Sequence, residues 1–509
     1  MIARTEAWRP ARADWAQAGL VALALFALYA ATAPRTVALE DDGLFVLSSY
    51  FLGVEHPPGY PLYILMGKLF TYLPFGAVAY RVHLLSALLG ALTCGLVWMC
   101  ARALLGARAA AYVAAFALGA TPVFWSQSLI AEVYTLNTLF FSGLLYLGLR
   151  ACPPAADADG AHANARLLPW MALVFGLSLS NHWPLTLLAA PAFAVLLWPL
   201  RGTLLRWFPA LLALVMAGLL PYVWLVLRSR TAVPINFDGP LDTLAEIWFF
   251  ISRAGYASID DSASAGWLDR VKFVRFMAGQ LVYQFAVLGT ALAAIGVAVQ
   301  WRWLGRRVAA ALAVAFLMPS FVLLMRLNFD YDAIGKHTFH VYPLPAYAVG
   351  ALWMGLGAAR LAQRFHLSRA RVFALCAAPL ALILAVGARS NLLADYDWAA
   401  RYAHAVLRSL PKDAILFAKG DADVSALAYF HMIEGVRPDI TLYHTKGLVF
   451  SSRLFHPLRT GEAERTARLR AFIEGAGSPV MFTAEAYALN ARRDRWLHIA
   501  VDRSSRDPN

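Results

Sequence analysis

The chain has 509 residues, of which 60% are hydrophobic and only 15% charged, whereas soluble globular chains run at about 45–50% apolar and about 25% charged. That excludes an ordinary soluble domain and points to an integral membrane protein. The formal net charge of +13 would suit nucleic acid, but the arginines gather in short turns between apolar stretches. This is the positive-inside pattern, so no nucleic acid is expected and the lipid bilayer is the partner, with anionic lipid meeting some of the basic groups.

Taken in order, residues 1–15 carry Arg4, Arg9 and Arg12 and are read as cytoplasmic. The first span is 16–34. No small-residue cleavage site precedes the acids that follow, so this span is read as retained. Residues 60–74 are apolar but short and contain Lys68, which suits an interfacial or re-entrant helix. Further spans are expected at 79–101, 109–124, 129–149, 167–181, 184–200, 207–227, 277–299, 308–325, 343–359 and 372–388. They are helical, because barrel strands would give short alternating segments.

This makes about eleven crossings. With the N terminus inside, the Arg-rich turns at 102–108, 201–206, 302–307 and 360–371 all fall inside. The outer parts are then the loop 35–78, the turn TPVFWSQ with Phe124 and Trp125 as interfacial aromatics, Asn181-His182-Trp183, the loop 228–274 and the loop 326–342. Residues 389–509 also fall outside and read as a small α/β domain. It has strands at 414–419, 440–444 and 478–484 and a helix at 426–435, in an order that favours parallel pairing. Cys94, Cys100, Cys152 and Cys376 form no CxxC pair and no disulfide framework.

The rest of the chain is organised around residues 38–62, ALEDDGLFVLSSYFLGVEHPPGYPL. Carboxylates beside a bilayer are costly to desolvate and tend to face water, a partner or a substrate. This segment is therefore read as the catalytic loop of a membrane enzyme, stiffened by Pro57, Pro58 and Pro61.

The segment resembles a membrane family first known as a domain of unknown function, DUF2723, which includes the TMEM260-like protein O-mannosyltransferases. The shared pattern is Gly53-Val54, His56-Pro57-Pro58-Gly59 and Pro61-Leu62, preceded by an acidic turn. In that turn Asp41 and Gly43 match, Asp42 stands for a serine and Leu44 for a second acid. Residues 79–82, 124–127, 131–137, 176–182, 220–222, 420–421 and 435–439 are also similar.

The resemblance implies a mostly α GT-C-like glycosyltransferase, with residues 1–388 as the membrane domain and 389–509 as a periplasmic α/β domain. A polyprenyl-phosphate-linked sugar, mannose for instance, would be the donor, and a protein or glycan hydroxyl the acceptor. The reaction would invert at the sugar, and the setting would be a bacterial inner membrane.

Such chemistry needs a base for the acceptor hydroxyl and cations for the departing phosphate. Asp41 is the candidate base, with Asp42 and His56 beside it; helix capping is the structural alternative for Asp41. Glu40, Asp41 and Asp42 are the oxygen ligands open to a divalent cation, if one is used. For the phosphate the candidates are Arg81, Arg253 and Lys336, with Arg228 and Arg230 behind them. Glu132, Tyr134, Asn137, Asn181 and His182 would form a supporting polar network. A lipid-linked-sugar transporter or flippase, or a non-catalytic assembly protein, are the competing classes; acids concentrated in outer loops rather than at mid-membrane speak against transport.

Overall fold

The computed structural model describes residues 8–39, 41–154 and 163–484; residues 1–7 with Arg4, Glu40, part of the loop 150–166 and residues 485–509 lie outside the described residues. The chain is mostly helical. Among the described residues, seven helical stretches are long and apolar enough to cross a membrane, against the eleven crossings expected. Part of the difference is length. Residues 109–124 become a 13-residue helix, Arg108–Ala120, and a separate short helix, Pro122–Gln127. Residues 129–149 give a helix that starts only at Tyr134.

The helix Leu168–Leu196 is broken at His182, whose backbone is non-helical. Pro184 follows two residues later; it lacks an N–H and its ring crowds the preceding turn. Ser178 Oγ lies 2.6 Å from Thr186 Oγ1, although eight residues of straight helix would separate them by about 12 Å. The two arms therefore fold back on each other, and both Met171 and Leu196 lie against Gly148.

Other sequence readings are corrected. Phe124 and Trp125 are core residues rather than interfacial anchors: both are buried, and the Trp125 indole donates to Thr32 Oγ1 at 3.1 Å. The loop 228–274 is shorter than expected, because a long helix already begins at Trp267 and runs to Trp303. Its first turn is set by Asp269, which accepts the Gly266 N–H.

The loops sort to two ends of the bundle. At one end Arg102 pairs with Asp14 at 3.1 Å, Trp15 packs on Tyr146, and Arg307 donates to the carbonyls of Cys152, Pro153 and Leu196. At the other end lie the acid loop, the His182 break and the chain after Asn391. There Leu393 N–H bonds the Thr32 carbonyl and Asn391 the Pro122 carbonyl.

In the C-terminal part, β1 (Ile415–Ala418) pairs in parallel with both β2 (Thr441–His444) and β3 (Val480–Phe482), giving the order β2-β1-β3. This unit does not bury a wholly separate core. Leu416, Val424, Leu427 and Tyr429 belong to the same apolar cluster as Leu44, Leu47, Val54 and Tyr63 of the acid loop. The closest approach is at Gly43, where an added Cβ would lie 2.9 Å from the Ser425 carbonyl oxygen. Only glycine permits that packing.

Candidate active site

The acid helix, Asp42–Phe51, ends at Leu52 in the left-handed region, and the Gly53 N–H closes it on the Ser48 carbonyl at 2.8 Å. The chain then passes through Glu55, His56 and the proline run before the helix Pro61–Thr71 begins. Gly59, at φ +95°, is required: a Cβ there would stand 2.3 Å from Leu225.

The two consecutive acids take opposite roles. Asp42 is buried. It accepts from His83 Nε2 at 2.9 Å, from the Ala38 N–H at 2.6 Å and from the Ala131 N–H at 2.7 Å. It braces the loop against the helix Val78–Leu105 and the segment before Tyr134. Asp41 keeps a third of its side chain exposed, and its carboxylate lies 3.5 Å from His56 Nε2, an electrostatic contact too long for a well-formed hydrogen bond. His56 is ringed by Phe45, Tyr60, Phe237 and Tyr256. Glu132 faces the same space. Burial, and next the charge of Asp41, push its carboxyl well above the ordinary range. The like-charged neighbour that Asp41 meets in this space is thus Glu132, while Asp42 turns away to His83.

Of the cations, Arg253 reaches the site. It adopts a left-handed backbone just after the helix Leu244–Ile251 and lies over the Tyr256 ring at 5.1 Å. Its field acts on Tyr60, Tyr134 and Tyr342, and its buried Nε has no partner. Arg81 instead donates to the carbonyls of Thr71, Phe75 and Gly76. Arg228 closes the acid helix by donating to Phe51 and Leu52, and Arg230 donates to Leu241. Lys336 sits over Tyr331 at 5.2 Å; among the described residues no hydrogen bond or ion pair joins it to the acid loop.

In the supporting set, the His182 ring stacks on Tyr60 at 6.0 Å and neighbours Tyr134 and Tyr342. Asn181 donates to the Val133 carbonyl, leaving its own buried oxygen without a partner. Asn137, with Ser178 and Thr186, borders a narrow crevice, about the size of one water molecule, that is otherwise lined by apolar side chains such as Phe141, Leu144 and Phe193.

Sequence reasoning assigned no role to Glu55, Tyr60, His83 or Tyr342. Tyr60 lay inside the recognised motif; His83 and Tyr342 carried no local signal, because their partners are distant in the chain. Glu55 is fully buried, accepting from Ser48 Oγ at 2.5 Å and the His56 N–H at 3.0 Å. Among the described residues no cluster of three or more His, Cys, Asp or Glu could hold a metal ion. Glu40 lies outside the described residues, so the three-acid cation reading reduces here to Asp41 and Asp42, and the oxygens of Asp42 are already held by His83 and two backbone N–H groups.

A pH dependence follows from this geometry. Burial pushes the Glu55 carboxyl from 4.5 up to about 7. For His56 burial is the largest influence and acts downward, but the carboxylate of Asp41 together with the charges of Glu55 and Asp421 outweighs it, and the ring rises from 6.5 to about 9. A raised folded pKa contributes stability that is complete below the unfolded value and lost as pH rises through the folded one. The windows are 4.5 to 7 for Glu55 and 6.5 to 9 for His56. The melting temperature in detergent is expected to fall steadily across both windows. His56→Asn should flatten the upper half; an unchanged slope there would remove His56 from the account.

The fold matches solved structures over nearly the whole chain. It superposes on the crystal structure of ArnT from Cupriavidus metallidurans bound to undecaprenyl phosphate with a TM-score of 0.60, covering 95% of each chain at 15% identity. For the apo form of that protein the TM-score is 0.58, at 14% identity and 94% of each chain. The architecture is therefore that of the GT-C class of membrane glycosyltransferases.

Within that class, residues 41–203 match the family described as Protein O-mannosyl-transferase TMEM260 N-terminal domain. The chain is 30% identical to Protein O-mannosyl-transferase TMEM260 of Mus musculus over 442 residues, which are 82% of this chain and 60% of that protein. It is 22% identical to the Dictyostelium discoideum protein of the same name over 463 residues, 82% of this chain and 55% of that one. The chain is thus similar to the TMEM260 protein O-mannosyltransferases, as its motif suggested, and spans 55–60% of the length of these curated proteins.

Proposed function

We propose that the chain is a membrane glycosyltransferase that moves a sugar, mannose by its relatives' name, from a polyprenyl-phosphate carrier to a polypeptide hydroxyl. The observation that carries this reading is a one-third-open carboxylate, Asp41, beside His56, with a half-buried arginine, Arg253, over the neighbouring Tyr256 ring. The acceptor oxygen attacks the anomeric carbon from the face opposite the phosphate. Asp41 takes the hydroxyl proton, the bond from carbon to phosphate oxygen breaks, and the phosphate leaves with the electron pair, so the sugar inverts. His56 holds the carboxylate in place. Arg253 meets the phosphate charge where little water screens it.

A polyprenyl-phosphate donor is supported by the fold likeness to ArnT, which was solved bound to undecaprenyl phosphate. The Arg-rich end marks the cytoplasmic side, which puts the acid loop and residues 389–509 outside, in a bacterial setting the periplasm. Residues 1–388 are then the transferase unit.

In proteoliposomes, label from a radioactive polyprenyl-phosphate mannose is expected to pass to a Ser/Thr peptide. Movement of intact lipid-linked sugar across the vesicle with no covalent product would favour the flippase reading. Arg253→Ala should weaken polyprenyl-phosphate binding about 10- to 100-fold, the size of a lost charge-assisted contact. Arg81→Ala should lower the melting temperature and leave that binding intact. Equal losses of binding in both variants would remove Arg253 from its role.

A further inference from the structure

We propose that Arg459 of the C-terminal unit is a positioning residue for Arg253: it grips the start of the helix that leads into Arg253 and so sets where that guanidinium stands against the acid loop. This rests on the transferase reading above. The helix Leu244–Ile251 is seated by packing at its far end. There Phe250 is buried against Gly59, and the Trp183 indole donates to the Ile251 carbonyl at 2.9 Å. The Arg253 N–H bonds back to the Phe250 carbonyl at 3.1 Å, so no free loop separates helix and arginine. The near end is different. Leu244 and Trp248 are exposed, and the hold is polar. Thr243 and Glu246 cap the first turn reciprocally. Arg459 then takes Glu246 with Nε at 2.6 Å and Nη2 at 3.0 Å, and Asp242 with Nη2 at 2.7 Å. One planar guanidinium thus joins two carboxylates of the helix start, a fork that lysine reproduces only in part.

The same unit is stitched to the acid loop. Residues 234–238 run between the two as a middle strand. On one side the Val54 N–H bonds the Ile235 carbonyl and the Phe237 N–H bonds the Val54 carbonyl, each at 3.0 Å. On the other side the Asn236 N–H bonds the Val449 carbonyl at 2.8 Å and the Asp238 N–H bonds the Leu448 carbonyl at 3.1 Å. Arg453 adds donations to the carbonyls of Asn236 and Gly239. Val54 stands two residues before His56, the ring that Asp41 approaches. The carboxylate side and the arginine side of the site are therefore tied to one body, the first through residues 448–453 and the second through Arg459. Such a tie matters through geometry more than through its own energy, because about 1 Å of misplacement far from the chemistry can cost about 10²-fold in rate.

The test is a double-mutant cycle on the full chain in lipid nanodiscs, reading the affinity for undecaprenyl phosphate. Arg459→Ala is expected to weaken binding about three- to fivefold, the size of one exposed ion pair, and Arg459→Lys to recover part of the loss. In a chain that already carries Arg253→Ala, Arg459→Ala should change nothing further, because the group it positions is gone. A role in stability alone would give losses that add. Should the alanine variant fail to fold, Glu246→Gln is read in its place: the amide oxygen still accepts the capping N–H groups, and only the charge that Arg459 grips is removed. Unchanged binding in Arg459→Ala, or a loss of the same size in both backgrounds, overturns the positioning role. The unmodified chain and Arg253→Ala separate this idea from the one beneath it. If Arg253→Ala weakens binding and Arg459→Ala does not, only the positioning role is lost. If the unmodified chain does not bind the lipid, or Arg253→Ala binds it normally, the part given to Arg253 falls and that of Arg459 falls with it.

Discussion

Asp41→Asn is expected to leave a folded, membrane-inserted protein whose sugar transfer is slower by about 10²- to 10⁴-fold, the usual worth of a positioned base. The substitution keeps the shape of the side chain and removes only its ability to take a proton. The fold depends on that charge only through His56: a third of the side chain is open and its ion-pair contact is the 3.5 Å approach to that ring, so the structural cost is a modest drop in melting temperature below pH 9 as the raised His56 pKa is lost. The check is initial rate of label transfer in proteoliposomes, alongside the melting temperature and polyprenyl-phosphate binding of the same preparation. A variant with normal rates would take Asp41 out of the mechanism and turn attention to Glu132, the other carboxyl in the cleft.

The neighbouring substitution should behave in the opposite way. Asp42→Ala is expected to lose about 3–5 kcal/mol of stability, as when one partner of a buried ionic pair is removed. It would leave His83 facing an empty position at the heart of the molecule, and two buried N–H groups, of Ala38 and Ala131, without acceptors. The other ring nitrogen of His83 is held by the Pro34 carbonyl at 3.0 Å, so the imidazole cannot swing to water. A large drop in detergent melting temperature is the expected reading. An Asp42→Ala protein that melts normally but fails in transfer would mean that Asp42, too, takes part in the chemistry.

The contrast between these two acids shows where a linear reading stops. Both stand in one motif, and by composition both are loop carboxylates near a bilayer. What separates them is a single turn of backbone: Asp41 precedes the acid helix, while Asp42 is its first residue and points inward to His83, 41 positions away. The five basic candidates divide in the same manner. Arg81 opens a span and the others lie outside one, yet Arg81 and Arg228 donate to carbonyls left unpaired where the helices Pro61–Thr71 and Asp42–Phe51 end, Arg230 to the loop carbonyl of Leu241, and Lys336 lies on Tyr331. Arg253 alone of the five lies in the tyrosine shell.

Local chemistry was enough for several conclusions. Long apolar runs with arginine-bearing turns imply a membrane bundle with a charged and a functional end, because transfer free energy is a property of each segment alone. The rigidity of the HPPGYPL run is local for the same reason: proline restricts the backbone wherever it stands. Charge partners and donor directions are properties of pairs of distant segments, and those pairs form only once the helices pack. The structure therefore assigned Asp42 to the framework, set Arg253 over Tyr256 among the tyrosines around His56, buried Trp125 instead of leaving it at the interface, and locked the C-terminal unit onto the acid helix through Gly43.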